Sequence, residues 1–596
     1  MQVYNAPLRD MKFVLHELHD YKAIAALPGQ EEFSEDLVDT VLEEAGKLAS
    51  EVLLPLNAVG EAEGCTLENG KVTTPTGFRD AYNTFREGGW TGLGAPQEYG
   101  GQGFPEMVGK MVEEMICSAN LAFSLYPGLT HGARRAIAEH ATEELRQAYL
   151  PKMIDGTWSG AMCLTEAHCG TDLGLLRTRA TPQADGTYKI NGSKIFISCG
   201  DHDMVDNVIH LVLARLPDAP KGVKGISLFL VPKFLPNEAG EVGQRNGVTC
   251  SGLEHKMGLR GCATCQMAFD DATGWIVGQP NKGMAAMFTM MNEERLGVGI
   301  QGLGIGEIAY QSSVFYAKDR IQGRSLSGVK SPDKAADSII VHPDVRRMLM
   351  TQRAYNEGCR ALGAWVARAV DISRHAPSPE EREEAEEFIA FMTPIVKAMF
   401  TDFGFDSASL AVQVYGGHGF IKEHGVEQFV RDARITMLYE GTNGVQALDL
   451  VGRKLPAHMG RYMRGLFHPI AEFIAENKTN PALASFIPGL EQAFGALQLT
   501  TGKLAEKMMR DPEEAGAAST DYLRLAGLVG IAYMFARSVL IAAPKVGEAG
   551  PEGEFYKAKI ATAQFFYDRI LPQTAAMFLS IKSGKASMMA LAEAAF

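Results

Sequence analysis

Tyr188-Lys189-Ile190-Asn191-Gly192-Ser193-Lys194-Ile195-Phe196-Ile197-Ser198 is the stretch on which the reading of the fold turns. Two short runs rich in β-branched and aromatic residues, 188–190 and 194–198, flank an Asn-Gly pair. Asn-Gly suits the positive φ angles of a two-residue turn, so the stretch predicts a β-hairpin. The same texture continues in residues 208–216, 225–231 and 265–269, separated by Gly, Asp, Asn and Pro. No helical pattern intervenes between about Trp158 and Gly278, which predicts an antiparallel sheet or barrel.

Helical periodicity lies on both sides of this block. Upstream, Leu37, Val38, Val41, Leu42, Ala45, Leu48 and Ala49 recur at three- and four-residue spacing, with Ser34 ahead of them as an N-cap. Further helices fit residues 107–123 and 133–150, preceded by a glycine-rich loop at 92–103. Downstream, long helices fit 283–323, 342–375 and 380–414. Pro377-Ser378-Pro379 separates the second from the third, and Pro394 marks a candidate kink in the third. A last Ala- and Leu-rich helical block follows, punctuated by Pro488, Pro544 and Pro572. The expected plan is mainly α with a central β domain. It comprises a helical N-terminal domain (1–157), a middle β domain (158–280), a helical bundle (281–456) and a helical extension (457–596).

At 596 residues the chain is too long for one hydrophobic core. With 46% hydrophobic and 21% charged residues it has an ordinary globular make-up. A net charge of −14 without a basic block argues against nucleic-acid binding. Nine cysteines spread over so long a chain read as reduced intracellular thiols. The apolar strand-like runs are well short of the ~20 residues of a spanning helix. The first sixteen residues carry Asn5, Arg9, Asp10 and Lys12 and no continuous apolar core, unlike a signal peptide. A cytoplasmic protein without a membrane span is expected.

Several local patterns carry little. Gly297-Val298-Gly299-Ile300-Gln301-Gly302 matches a dinucleotide fingerprint, but it falls inside a helical pattern rather than after a strand. Its glycines are expected to serve close helix packing. Cys262 and Cys265 form a lone CxxC and are read as structural thiols. Asp201-His202-Asp203 fits a surface turn better than a metal site, and no metal is expected.

Four segments together do carry chemistry. Cys163-Leu164-Thr165-Glu166 followed by Gly170-Thr171-Asp172 reads as a strand ending in a hydroxyl and a turn, able to bring N–H groups to a flat polar ligand. Phe196 offers a ring to stack, with the Ser198 hydroxyl two positions on. In Gln413-Val414-Tyr415-Gly416-Gly417-His418-Gly419 the glycines admit close approach to a phosphate or ribose. Leu438-Tyr439-Glu440-Gly441-Thr442-Asn443 places a carboxylate before a glycine and an N-cap. Singly, each reads as a turn, a core aromatic, loop glycines or a solvated Glu.

Taken in order, the set resembles the flavin-dependent acyl-CoA dehydrogenase family over about residues 35–455. The correspondence runs through 163–172, 196–199, 320–323, 413–419 and 439–442. Phe196 stands where the family more often has Trp, Thr171 where it has Ser, and Ala167-His168-Cys169 replaces a Pro-containing turn. In Arg320-Ile321-Gln322-Gly323 the Phe that usually follows the Gln is missing. The resemblance implies a helical N-domain, a middle β-barrel and a C-terminal four-helix bundle. The opening Tyr4-Asn5-Ala6-Pro7-Leu8-Arg9-Asp10 and the long helical tail resemble an enlarged bacterial branch of the family. That branch acts on 3-(methylthio)propanoyl-CoA or on fatty acyl-CoA.

The implied reaction is α,β-desaturation of an acyl-CoA thioester. It needs a general base for the α-proton and donors for the developing enolate oxygen. FAD takes the hydride. Glu440 is the implied base, and a carboxylate enclosed with an apolar acyl chain loses hydration and gains basicity. Its own N–H is the implied donor to the thioester oxygen. Leu164, Thr165, Gly170, Thr171, Phe196, Ser198 and Thr442 are implied FAD contacts, and Arg320, Gln413, Gly416 and Gly417 would reach the flavin of a neighbouring subunit. Thr171, Arg295 and Gly441 are implied substrate contacts, with a helix-surface ion pair as the competing reading of Arg295. A homodimer or higher homo-oligomer follows, with electron-transfer flavoprotein as electron acceptor. A medium- or long-chain fatty acyl-CoA dehydrogenase, an acyl-CoA oxidase and a non-catalytic acyl-CoA-binding protein are the alternatives.

Overall fold

The computed structural model describes residues 2–596 and divides the chain into two compact units. One comprises Lys47–Phe104 and Met115–Gly297; the other comprises Met1–Gly46, Pro105–Glu114 and Val298–Phe596.

The first unit holds the β domain, seven strands in one sheet: β1 (Trp158–Cys163), β2 (Arg179–Pro182), β3 (Tyr188–Ser198), β4 (Asn207–Arg215), β5 (Ile226–Pro232), β6 (Val248–Leu253) and β7 (Thr264–Val277). The order is β6-β7-β3-β2-β4-β1, and β5 pairs with both β7 and β4, which closes the strands β7, β3, β2, β4 and β5 into a ring. Closure leaves only β1 and β6, outside the ring, as outer strands. Pairing is antiparallel except that β1 runs parallel to β4, from Trp158 opposite Asn207 to Cys163 opposite Val212, and β2 meets β4 in parallel at Arg179 opposite Arg215. The expected antiparallel sheet or barrel is present, with these two parallel pairings as its exceptions. The inside is filled by Ile190, Val212, Phe229, Val231 and Met267, all shielded from solvent. A side chain of Phe229's size contributes about 1.5–3 kcal/mol when fully buried.

The hairpin expected at Asn191-Gly192 does not form. β3 runs straight through it, because the Asn191 amide donates across the strands to Asp271 at 2.8 Å and accepts from Asp271 N–H at 3.0 Å. Gly192 lies flat against Thr178, where a Cβ would sit 2.6 Å from the Thr178 hydroxyl. Asp201-His202-Asp203 is likewise no surface turn. Asp201 and His202 are buried, with Lys233 donating to Asp201 at 2.5 Å, Ser159 Oγ 2.9 Å from His202 Nε2, and Thr74 donating to Asp203 from N–H and hydroxyl. Cys199 and Cys262 pack sulfur to sulfur at 3.7 Å as free thiols, consistent with a structural use.

Helix boundaries on the N-terminal side depart from the periodicity. Ser34 does cap Glu35–Lys47, its hydroxyl accepting from Leu37 N–H at 3.3 Å, but Leu37 itself faces solvent. The expected helix 107–123 is two, Glu106–Ala119 and Leu121–His140. Asn120 adopts an extended conformation between them, and its side chain accepts from Phe123 N–H at 3.0 Å as an N-cap. The expected helix 133–150 is broken in the same way at Ala141, which is extended, before Glu143–Ile154 begins.

The helical unit is built on α1 (Gly283–Asp319, of which it holds the part after Gly297), α2 (Pro343–His375) and α3 (Pro379–Tyr415). α3 runs through Pro394 as one element. The glycine pattern of α1 does serve helix packing: a Cβ on Gly299 would strike Val396, one on Gly302 would sit 2.5 Å from the Phe400 carbonyl, and one on Gly404 would sit 2.2 Å from the Gly302 carbonyl. The tail adds α4 (Glu513–Ala542) and α5 (Pro551–Arg569). Gly527 of α4 fits against Met399 and Ile395 of α3, and Gly358 of α2 fits against Ile531 of α4.

Two segments, Pro379–Phe420 and Glu513–Lys545, are long and apolar enough by composition to span a membrane, which the reading of the strand-like runs passed over. Their most apolar windows are 78% and 83% buried within the protein, as core helices are. The N-terminal segment is tied into the same unit by buried charges. Asp10 pairs with Arg360 and with Lys559 of α5. Arg360 also holds Glu114 and Glu307, and Lys559 holds Glu357 at 2.9 Å. Arg9 reaches Glu552 at 2.8 Å.

Candidate active site

In the β unit the residues singled out from sequence converge on the end of β1 and the end of β3. Beyond β1, Glu166 and Cys169 close a tight turn with two reciprocal backbone hydrogen bonds of 2.9 and 3.0 Å, so Ala167-His168-Cys169 makes a turn without proline. Asp172 then accepts from Gly174 N–H at 3.1 Å and starts the next turn, which leaves Gly170 and Thr171 exposed between two fixed points. Thr165 is half-buried, and its carbonyl accepts from Ile195 N–H at 2.9 Å, which joins this loop to β3.

β3 bulges as it reaches the site. Ser198 and Ile197 pair with Thr264 and Cys265, but the register then slips before Lys194 meets Met267. Phe196 sits in this bulge with φ +58° and is 59% exposed. A left-handed conformation is strained for a non-glycine residue, and such strain gathers at functional sites. The bulge presents an aromatic ring outward beside the half-buried Ser198 hydroxyl.

Two residues whose roles the sequence did not reveal hold this arrangement. Lys194 is wholly buried, and its ammonium donates to the Leu164 carbonyl and to Glu166 Oε1, both at 2.9 Å. Glu166 accepts as well from Arg177 N–H, Thr178 N–H and the Thr178 hydroxyl. Burial opposes the Glu166 charge, but the Lys194 ammonium and the Thr178 hydroxyl outweigh it and hold the carboxyl at about 2. Burial pulls the Lys194 ammonium below its usual value against the charge of Glu166. Glu166, His168 and Cys169 lie close enough to suggest a metal, but the Glu166 oxygens are already committed to these donors. The only sequence signal for the pair is a lysine among apolar strand residues.

Arg295, on the part of α1 that belongs to the β unit, is buried. Its Nη1 lies 3.4 Å from Asn292 Oδ1, and its guanidinium stands 5.9 Å from the Phe288 ring centre.

In the helical unit the remaining residues form two groups. Arg320 is exposed just past the end of α1, and Gln413, Gly416 and Gly417 are exposed at the end of α3. Tyr316 joins the two ends by stacking on Tyr415 at 4.0 Å and by placing its hydroxyl 2.9 Å from His418 Nδ1. Gly416 has φ +60°, and a Cβ on Gly416 or Gly417 would meet nothing within 4 Å. Space beyond the chain itself is therefore open at both glycines.

The second group is the turn carrying Glu440. Glu440 is half-buried with φ +54°, and Gly441 follows at φ +84°. Two consecutive left-handed residues form a tight, strained turn. Tyr439 donates its hydroxyl to Gln301 of α1, and the Gln446 side chain donates to the carbonyls of Glu440 and Gly441. Thr442 occupies the N-cap position of the following helix, but its hydroxyl donates backwards to the Met437 carbonyl at 3.2 Å instead of capping. Asn443 anchors the helix start: it accepts from the buried Lys397 at 2.8 Å and donates to Asp402 at 2.7 Å, both on α3. Lys397 and Gln446 were not foreseen, and Asn443 was read only as the end of the Glu440 segment, because Lys397 comes from a distant helix and Gln446 meets its partners only once the turn has folded back.

The residues suit a flavin on two separate observations, one in each unit: an exposed aromatic on a strained bulge beside half-buried hydroxyls, and exposed glycines with open space able to admit a phosphate.

Four family models match the chain: acyl-CoA dehydrogenase N-terminal domain over residues 39–157, middle domain over 161–272, C-terminal domain over 281–455, and "acetyl-CoA dehydrogenase C-terminal like" over 466–592. The chain is 43% identical over 574 residues to a 3-methylmercaptopropionyl-CoA dehydrogenase of Ruegeria pomeroyi, covering 96% of this chain and 97% of that one. It is 36% identical over 612 residues to a butyryl-CoA dehydrogenase of Syntrophomonas wolfei, covering 100% and 99%. Its fold is similar to a solved acyl-CoA dehydrogenase complexed with FAD from Bacillus anthracis, with a TM-score of 0.73, 21% identity and coverage of 94% and 90%. With matched models spanning helical, β and helical segments in this order, the chain belongs to the acyl-CoA dehydrogenase family of oxidoreductases.

Proposed function

We propose that the protein is an FAD-dependent dehydrogenase of 3-(methylthio)propanoyl-CoA that passes its electrons to electron-transfer flavoprotein and works as a homodimer or higher homo-oligomer. The four segments 1–157, 158–280, 281–456 and 457–596 are proposed as its domains. The observation that carries the chemistry is the turn at Glu440, a carboxylate on a strained backbone pinned by Gln446 and Asn443. The substrate choice is supported by likeness to the Ruegeria protein over nearly the full length of both chains.

Glu440 takes the α-proton of the acyl thioester. The backbone N–H of Glu440 donates to the thioester oxygen as negative charge gathers there, which lowers the barrier to enolate formation. FAD, when bound, supplies the hydride-accepting chemistry. Phe196 would stack against the flavin, and Leu164, Thr165, Gly170, Thr171, Ser198 and Thr442 would hold the cofactor's polar groups. Arg320, Gln413, Gly416 and Gly417 would hold the cofactor phosphates of a partner subunit, for which a guanidinium fork is suited. Thr171, Arg295 and Gly441 position the acyl-CoA.

The test is a substrate panel of 3-(methylthio)propanoyl-, butanoyl-, octanoyl- and palmitoyl-CoA with an artificial electron acceptor, and with air as sole oxidant. The highest kcat/KM is expected for 3-(methylthio)propanoyl-CoA, with slow turnover in air. A straight-chain thioester with higher kcat/KM overturns the substrate, and fast turnover in air overturns the acceptor.

A further inference from the structure

We propose that Gln446 is a positioning residue for the reaction, acting through the backbone of the turn that carries the base. This rests on the reading of Glu440 as that base. Gln446 is only 1% exposed and lies in the first turn of the helix Asn443–Asp449. Its side-chain nitrogen donates to the Glu440 carbonyl at 3.0 Å and to the Gly441 carbonyl at 3.3 Å. A primary amide carries two N–H donors at one end and none at the other, so two converging carbonyls accept only its nitrogen end. The amide thus locks two successive peptide units whose residues both have positive φ.

The lock is itself held from behind. Its helix begins at Asn443, which the buried Lys397 and the Asp402 carboxyl grip from α3. Gly441 is needed for close approach as well as for its φ, since a Cβ there would sit 2.6 Å from the Gln446 nitrogen. A rigid path therefore runs from α3 through Asn443 and Gln446 to the two peptide units on either side of the Gly441 Cα, the first of which carries the Glu440 carbonyl. Without the two hydrogen bonds the left-handed pair is free to relax toward ordinary φ values, and the Glu440 side chain and N–H both swing with it. A misplacement of ~1 Å at the reacting groups costs on the order of 10²-fold in rate.

The experiment uses the purified holoenzyme with Gln446→Met, which removes the donors, and Gln446→Glu, which keeps the shape but replaces the nitrogen with oxygen. Expected for Gln446→Met is a fall in kcat of about 10–100-fold with KM within about twofold, unchanged FAD content and a larger isotope effect with α-deuterated substrate. The rate of Gln446→Glu relative to wild type should be low at high pH and rise as pH falls, because only the protonated acid donates to a carbonyl while loss of the Glu440 base affects both enzymes. In a Glu440→Gln background, Gln446→Met should cost less than about twofold, since groups acting as a unit do not add. A Gln446→Met kcat at the wild-type level beside an impaired Glu440→Gln overturns the positioning role alone, as does an equal loss in both backgrounds. A Glu440→Gln enzyme at the wild-type rate overturns the assignment of the base.

Discussion

Replacing Lys194 by Met probes whether the loop after β1 is held by a buried ion pair. The side chain is similar in length and apolar, so the space stays filled while the charge goes. Glu166 then keeps its hydrogen bonds from Thr178 and Arg177 N–H but loses its counter-ion, and the Leu164 carbonyl loses its donor. Removing one partner of a buried pair costs about 3–5 kcal/mol, because the remaining charge stays out of water. The loss should depend on pH. In the wild type the Glu166 carboxyl lies at about 2, below its unfolded value, so its stabilisation is present above the ordinary carboxylate range and is lost as pH falls through about 2. In the variant burial is opposed only by the Thr178 and Arg177 donors, so the carboxyl rises from its wild-type value and the variant loses less stability than the wild type as pH falls. The gap between the two proteins should therefore be largest near pH 7 and shrink by about pH 4, within the carboxylate range. Urea unfolding followed by circular dichroism at both pH values measures it. A gap below about 1 kcal/mol, or one that does not change with pH, would refute the view of Lys194–Glu166 as a buried charge pair.

Glu440→Gln should retain FAD while bleaching of the flavin by substrate slows ~10²–10⁴-fold, the loss typical of a positioned base, and stopped-flow absorbance reads it. Asp371 is buried and caps the helix Glu106–Ala119 by accepting from Glu106 and Met107 N–H; burial nonetheless pushes its carboxyl up to about 7. Its contribution to stability is full below the unfolded carboxylate value and is lost as pH rises through about 7. Asp371→Asn should therefore flatten the fall in unfolding midpoint between pH 5 and 8, and an unchanged slope would count against it.

Some of this molecule was legible from residue order alone. The alternation of texture from helix to strand to helix follows from hydrophobic periods of 3.6 and 2, which are local properties of the chain. The glycines of α1 were readable as packing glycines because their helical context was visible around them. The candidate segments stood out only as an ordered set, since each alone read as a turn, a core aromatic, loop glycines or a solvated Glu. The hairpin expected at Asn191-Gly192 failed for a tertiary reason: Asp271, 80 positions away, occupies the Asn191 side chain and keeps the strand straight. The helix break at Asn120 was available as a capping signal but was masked by apolar periodicity on both sides of it.

What only the tertiary structure decided were the residues that act through others. Lys194 and Glu166 meet because β3 passes beside the turn after β1. Asn443 finds its anchor because α3 brings Lys397 within 2.8 Å. Gln446 reaches the Glu440 carbonyl because two left-handed residues fold the chain back by six positions. Residue order records which side chains are able to donate, accept or carry charge. Which of them are partners depends on burial and on the crossing of distant segments, and in a low-dielectric interior those pairings set both the geometry of a site and the charge its groups can bear.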